Sequence, residues 1–193
     1  MDEKELTRQV EDKPAPMPLL AVQAFANTLD IESSIDLLES PERLLDWMRR
    51  SEIAEPGIEV SAADLRLARS FREVVRDLLV ANERGEPDEK AGAALAKLTA
   101  ERRVQLTADP KTGELTADTS PATDVGDLVC LFLGIILLAQ TKGEWERLKL
   151  CENPECLWAF YDNSRNRSGS WCRTGLCGNR LKNRAYRERQ RSA

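Results

Sequence analysis

Four cysteines, Cys151, Cys156, Cys172 and Cys177, fall in the pattern C-x4-C-x15-C-x4-C. That spacing constrains the end of the chain more than any other feature. Two equal pairs separated by a short loop offer four thiolates to one tetrahedral metal. Zinc suits soft sulfur ligands in a closed tetrahedron and asks for no redox chemistry. Histidine is absent, so a structural Zn2+ must be held by cysteines alone, and a His general base or Ser-His-Asp triad is ruled out. The opening MDEKELTRQVEDKPAPMP is charged and lacks the apolar stretch of a secretory signal. The expected setting is therefore reducing and cytoplasmic, where paired cysteines serve as metal ligands rather than disulfides.

The segment between the pairs holds Trp158, Phe160, Tyr161 and Trp171. So small a module cannot bury enough apolar surface to fold unaided, so metal binding and folding are expected to be coupled. The aromatics read as a miniature core, with stacking on a nucleic-acid base as the alternative.

Charge is divided along the chain. Residues 141–193 carry twelve Lys and Arg against six Asp and Glu, a balance of +6, which leaves −11 for residues 1–140. An acidic body with a basic end suits a chain of which one part meets a polyanion. The alternative is a solvated charged helix. Arg165 and Arg167 lie in the loop between the cysteine pairs, and Asn179 comes just after the last cysteine at the expected start of a helix. That helix would carry Arg180, Lys182, Arg184, Arg187 and Arg191. Positions 180, 184, 187 and 191 share one face at helical spacing, a surface able to follow phosphates or enter a groove.

The rest of the chain reads as mainly α (α+β). Residues 1–16 are polar, contain Pro14 and Pro16, show no period, and are expected to form a flexible tail. Pro18 sits before an apolar helix through Leu29. Ser40-Pro41-Glu42 is a helix start, and Ser61-x-x-Asp64 is a near capping box. Leu67, Phe71, Val74, Val75, Leu78 and Leu79 form a helical stripe ended by Gly85. Pro87 opens a further helix. Alternation around Val104–Ala108 and Leu115–Ala117, with a Gly-containing turn between, predicts one small β-hairpin near 103–118. Ser120-Pro121 is expected to start the most apolar helix. Its uncharged run, Leu128–Thr141, has fourteen residues; at about 1.5 Å each that is roughly 21 Å, too short for a bilayer of about 30 Å. No membrane contact is expected. Cys130 in this run reads as a small core residue. The expected division is a helical domain over 17–143 and a zinc finger with a basic C-terminal helix over 144–193.

Cys177-Gly178-Asn179-Arg180, preceded by Phe160, Asp162, Ser164-Arg165 and Trp171-Cys172, resembles the CGNR zinc finger. Phe25-Ala26-Asn27-Thr28 resembles the F-x-N-T signature of the ABATE domain, which precedes that finger in a family of bacterial stress-response transcription regulators. The resemblance implies a mostly helical N-terminal domain with a small hairpin, a four-cysteine zinc site, and cytoplasmic DNA binding. Under it the helical domain senses a small-molecule effector or forms a homodimer, with Asn27, Thr28 and Asp30 as candidate ligand-binding groups; for Asn27 and Thr28 a helix C-terminal cap is the favoured alternative. A protein of this kind is a zinc-dependent DNA-binding transcription regulator. RNA binding and a protein-interaction adaptor with a structural knuckle are the competing readings. An enzyme is not expected: four thiolates close the metal to substrate, and no carboxylate pair stands out as an acid–base couple.

Overall fold

The computed structural model of the chain describes residues 1–10 and 12–179. Its fold is mainly α with small antiparallel hairpins. The helices in order are α1 (Glu3–Val10), α2 (Leu19–Ala26), α3 (Pro41–Arg50), α4 (Ala62–Arg84), α5 (Glu89–Thr99) and α6 (Val125–Thr141). The strands are β1 (Leu29–Asp30), β2 (Ile35–Asp36), β3 (Leu106–Ala108), β4 (Leu115–Ala117), β5 (Leu148–Leu150) and β6 (Ala159–Tyr161), paired in sequence order.

Local chemistry fixes the helix ends. The Ser40 hydroxyl accepts the Arg43 amide hydrogen bond at 3.3 Å ahead of Pro41, opening α3. Ser61 and Asp64 form a reciprocal capping box on α4, and Gly85 closes it in the left-handed region at φ 71°. Helix α6 begins at Asp124, whose carboxylate accepts from the Asp127 amide at 2.8 Å. Ser120, expected to open it, instead donates to Asp118 in the preceding turn. Pro87 likewise stands one residue before the cap, Asp88, which opens α5.

The core lies where α2, α4 and α6 meet. All eight residues of α2 are buried. Phe25 stands at its centre, 5.6, 5.9 and 4.8 Å from the rings of Trp47, Phe71 and Phe132. Each such pair adds about 0.5–1.5 kcal/mol beyond area burial. Gly134 of α6 lets β4 approach, since a Cβ there would lie 2.7 Å from Ala117 Cβ.

Residues 1–16, expected as a flexible tail, contain α1. Leu6 and Val10, one turn apart, are both fully buried, and Gln9 accepts the Trp47 indole hydrogen bond at 2.7 Å. Two apolar residues in a polar octet leave too weak a period to read, yet they are enough to dock the helix on α2. The single expected hairpin, β3–β4, is present, joined by β1–β2 and β5–β6. Strands of two or three residues carry little alternation. In β5 and β6 every residue is buried, which removes it altogether. Leu148, Leu150, Ala159 and Tyr161 join the helical core. Asn82 of α4 donates to the carbonyls of Trp145 and Leu148 at 2.8 and 3.0 Å.

Candidate metal centre

Strand β5 delivers Cys151, whose amide donates to the Trp158 carbonyl at 2.9 Å. The chain then turns on Asn153, whose carbonyl takes the amides of Cys156 and Leu157 at 2.9 and 3.0 Å. Leu157 lies in the left-handed region at φ 49°, an uncommon conformation for a γ-branched residue. The second pair is built on a π-helical turn, Thr174–Gly178, in which the Cys177 amide reaches the Arg173 carbonyl at 2.9 Å. A Cβ at Gly178 would stand 3.2 Å from Cδ1 of Trp171, so this glycine is the seat of the indole. Asn179 donates from its side chain to the Gly175 carbonyl at 3.0 Å and ties its own backbone to the start of the turn.

These turns bring the four sulfurs within 4.8 Å of one another, all buried. Cys172 Sγ lies 3.6 Å from the sulfurs of both Cys156 and Cys177. Four thiolates about 2.3 Å from one zinc would stand about 3.8 Å apart, so the cluster fits a single structural zinc. The thiols cannot share negative charge evenly among themselves. Hydrogen bonds from Cys156 and Cys172 press the Cys151 thiol down. The same contacts push Cys156 and Cys172 up, each first through Cys151. A dication at the centre resolves that conflict by binding every sulfur as thiolate. Cys130 on α6 stands apart from the cluster, half-buried.

A second polar centre supports the loop between the pairs. Asp162 accepts from the amides of Ser164 and Gly169 at 2.9 and 2.7 Å and from Lys149 Nζ at 3.2 Å. Burial presses its carboxyl upward, but the donors at Ser164, Gly169 and Lys149 outweigh this and hold it at about 2. Lys149 also donates to the carbonyls of Arg167 and Gly169. A Cβ at Gly169 would collide with Asp162 Oδ1 at 2.7 Å. Loop 163–168 therefore stands on a buried ion pair. Asp162 belongs to the motif quoted above, whereas its partner Lys149 shows in the sequence only as a charge between two leucines of β5.

The expected nucleic-acid residues divide in two. Arg165 and Arg167 are exposed on that loop. Arg167 lies within 4.0 Å of Glu146 and donates to the Gly143 carbonyl at 3.4 Å. Asn179 is exposed at the end of the π turn. Arg180, Lys182, Arg184, Arg187 and Arg191 lie outside the described residues.

The three candidate ligand-binding residues are not brought together. The Asn27 side chain is fully engaged by β6, donating to the Ala159 carbonyl at 3.0 Å and accepting the Ala159 amide at 2.7 Å. Its backbone caps α2. Thr28 donates to the Phe25 carbonyl at 2.7 Å and accepts from Arg72 at 3.2 Å. Arg72 in turn makes a two-pronged pair with Asp36 at 2.5 and 3.1 Å. Burial pushes the Asp36 carboxyl up, and the Arg72 hydrogen bond, the Leu38 amide and the charges of Arg72 and Arg69 together outweigh it, so the group is lowered. Asp30 alone faces open space, a cleft of about 210 Å³ shared with Glu32, Trp158, Arg173 and Leu176 at the edge of the cysteine cluster.

A family model described as "putative stress-induced transcription regulator", the ABATE domain, matches residues 20–141. The chain belongs to the ABATE family. The CGNR zinc finger model matches residues 147–190, after the ABATE domain in the chain. Neither description is that of an enzyme. No curated protein matches the chain. In this ABATE protein no helix among the described residues is long and apolar enough to cross a membrane.

Proposed function

We propose that this ABATE protein is a zinc-dependent DNA-binding transcription regulator acting in the cytoplasm. The charge division carries the reading: +6 over residues 141–193 against −11 over 1–140 concentrates the attraction for a polyanion at the finger. In this reading zinc fixes the turn that ends in Asn179, and the basic residues beyond it contact phosphates. Arg165 and Arg167, on a loop footed by Lys149 and Asp162, add to that surface. The helical domain is the dimerisation or effector-sensing unit, with Asp30 in the cleft as the polar group an effector would meet.

The RNA reading is less well supported. Phe160 and Tyr161 are buried, which withdraws them from base stacking, and the half-buried Trp158 and Trp171 pack against the cysteine cluster. The test is binding of the zinc-loaded chain to duplex DNA beside Cys172→Ala. The variant should lose the metal and the DNA together. A variant that loses metal and keeps full DNA affinity would sink the proposal.

A further inference from the structure

The cations held against the cysteine-bearing segment differ in partner. Arg173 Nε is 2.5 Å from Asp12, and Lys149 pairs with Asp162. Arg76 and Lys13 are different. Arg76 reaches in from α4 with its side chain 5 % exposed. It donates to the Ala26 carbonyl at 2.8 Å and to the Leu157 carbonyl at 3.2 Å. Among the described residues no carboxylate comes within hydrogen-bond distance of it; Glu73 stands 3.9 Å from its Nε while holding Arg72 at 2.9 Å. Lys13, half-buried, donates to the Trp171 carbonyl and lies 4.8 Å over the Phe160 ring.

Both acceptors have a telling position. Leu157 comes directly after the metal ligand Cys156, and Trp171 directly before the metal ligand Cys172. A carbonyl orients a cation but cannot neutralise it, and Arg76, nearly fully buried, has only a long 3.9 Å pairing to a Glu73 that it shares with Arg72. Four thiolates around one Zn2+ leave a net charge of −2, with that excess borne on sulfur. We propose that Arg76 and Lys13, both from outside the finger, are counter-charges of the zinc–thiolate centre. The finger is thus completed electrostatically by the ABATE domain and the segment before it. Burial presses the Arg76 guanidinium below its usual range and the neighbouring Arg72 charge adds to this, while negative charge at Glu73, at Asp77 and, least, at Cys156 opposes it.

The inference rests on zinc occupying the four-cysteine site and is independent of what the protein binds. The test is zinc affinity of the full chain, measured by competition with a chromophoric chelator and without nucleic acid. Arg76→Met and Lys13→Met should each weaken zinc by on the order of 10-fold or more, as loss of an outer-shell partner does. Arg76→Lys, which keeps the charge and changes the fork, should recover most of the loss. Arg43→Met, which removes an exposed cation on α3, should bind zinc as wild type does. Wild-type affinity in Arg76→Met and Lys13→Met would overturn the inference. So would Arg76→Lys as weak as Arg76→Met, which would assign the effect to hydrogen-bond geometry. Should Arg76→Met fail to fold, Lys13→Met decides alone: unchanged zinc affinity overturns the proposal, and a weakened one supports it.

Discussion

Asn27 shows how a polar side chain singled out by the sequence is engaged by the fold. Its amide completes the hydrogen bonding of Ala159 in both directions, which joins α2 to the strand leaving the first knuckle. Gln23, one helical turn earlier, adds a bond to the same carbonyl at 3.1 Å. No spacing in the sequence links position 27 to position 159, so the bond to β6 is not legible there, although the helix cap is. Asn27→Ala should cost about 1–3 kcal/mol in urea unfolding, since the buried Ala159 amide loses its partner while the carbonyl keeps Gln23. Asp162 carries a second prediction. Its carboxyl, held at about 2, lies below an ordinary value near 3.9. A depressed carboxyl contributes stability that is full above about pH 4 and is lost as pH falls through about 2. The unfolding free energy of wild type minus that of Asp162→Asn should therefore be constant at neutral pH and shrink across that acid window. Asp162→Ala strands Lys149 in the interior, and a cost of about 3–5 kcal/mol is expected at neutral pH.

At the scale of elements, what could be read was what carried its own local signal. Helix α4 has a long apolar stripe, a capping box and a terminal glycine, and its boundaries come from them. Hairpin β3–β4 alternates and turns through Gly113 in the left-handed region. The cysteine pairs give the metal site by spacing alone. Helix α1 and hairpins β1–β2 and β5–β6 owe their existence to long-range contact, and short polar or fully buried segments leave no period to find. Helix α1 offers a direct check. Leu6→Ala empties a fully buried position against α2, and a loss of about 2–5 kcal/mol is expected in thermal or urea denaturation. A loss within a few tenths of a kcal/mol would mean that the segment frays as its composition suggests.

At the scale of the whole molecule, the finger is not a bead on a string. Its strands place Leu148, Leu150 and Ala159 in the helical core, and Arg76, Asn27 and Gln23 hold residues 157–159 from the other side. Zinc should therefore stabilise the entire chain through mass action on one folded state. Calorimetry should show one cooperative transition in the zinc-loaded protein, and chelation should lower its Tm; two independent transitions, with the helical one untouched by chelator, would contradict the shared core. The proposed function depends on the basic end of this ABATE protein binding DNA. Fluorescence anisotropy of the zinc-loaded chain against a random-sequence duplex, titrated with salt, puts that to the test. Neutralising about five phosphates predicts a log–log slope of roughly −4 to −5. Absence of binding at low salt, or a slope near zero, would refute it.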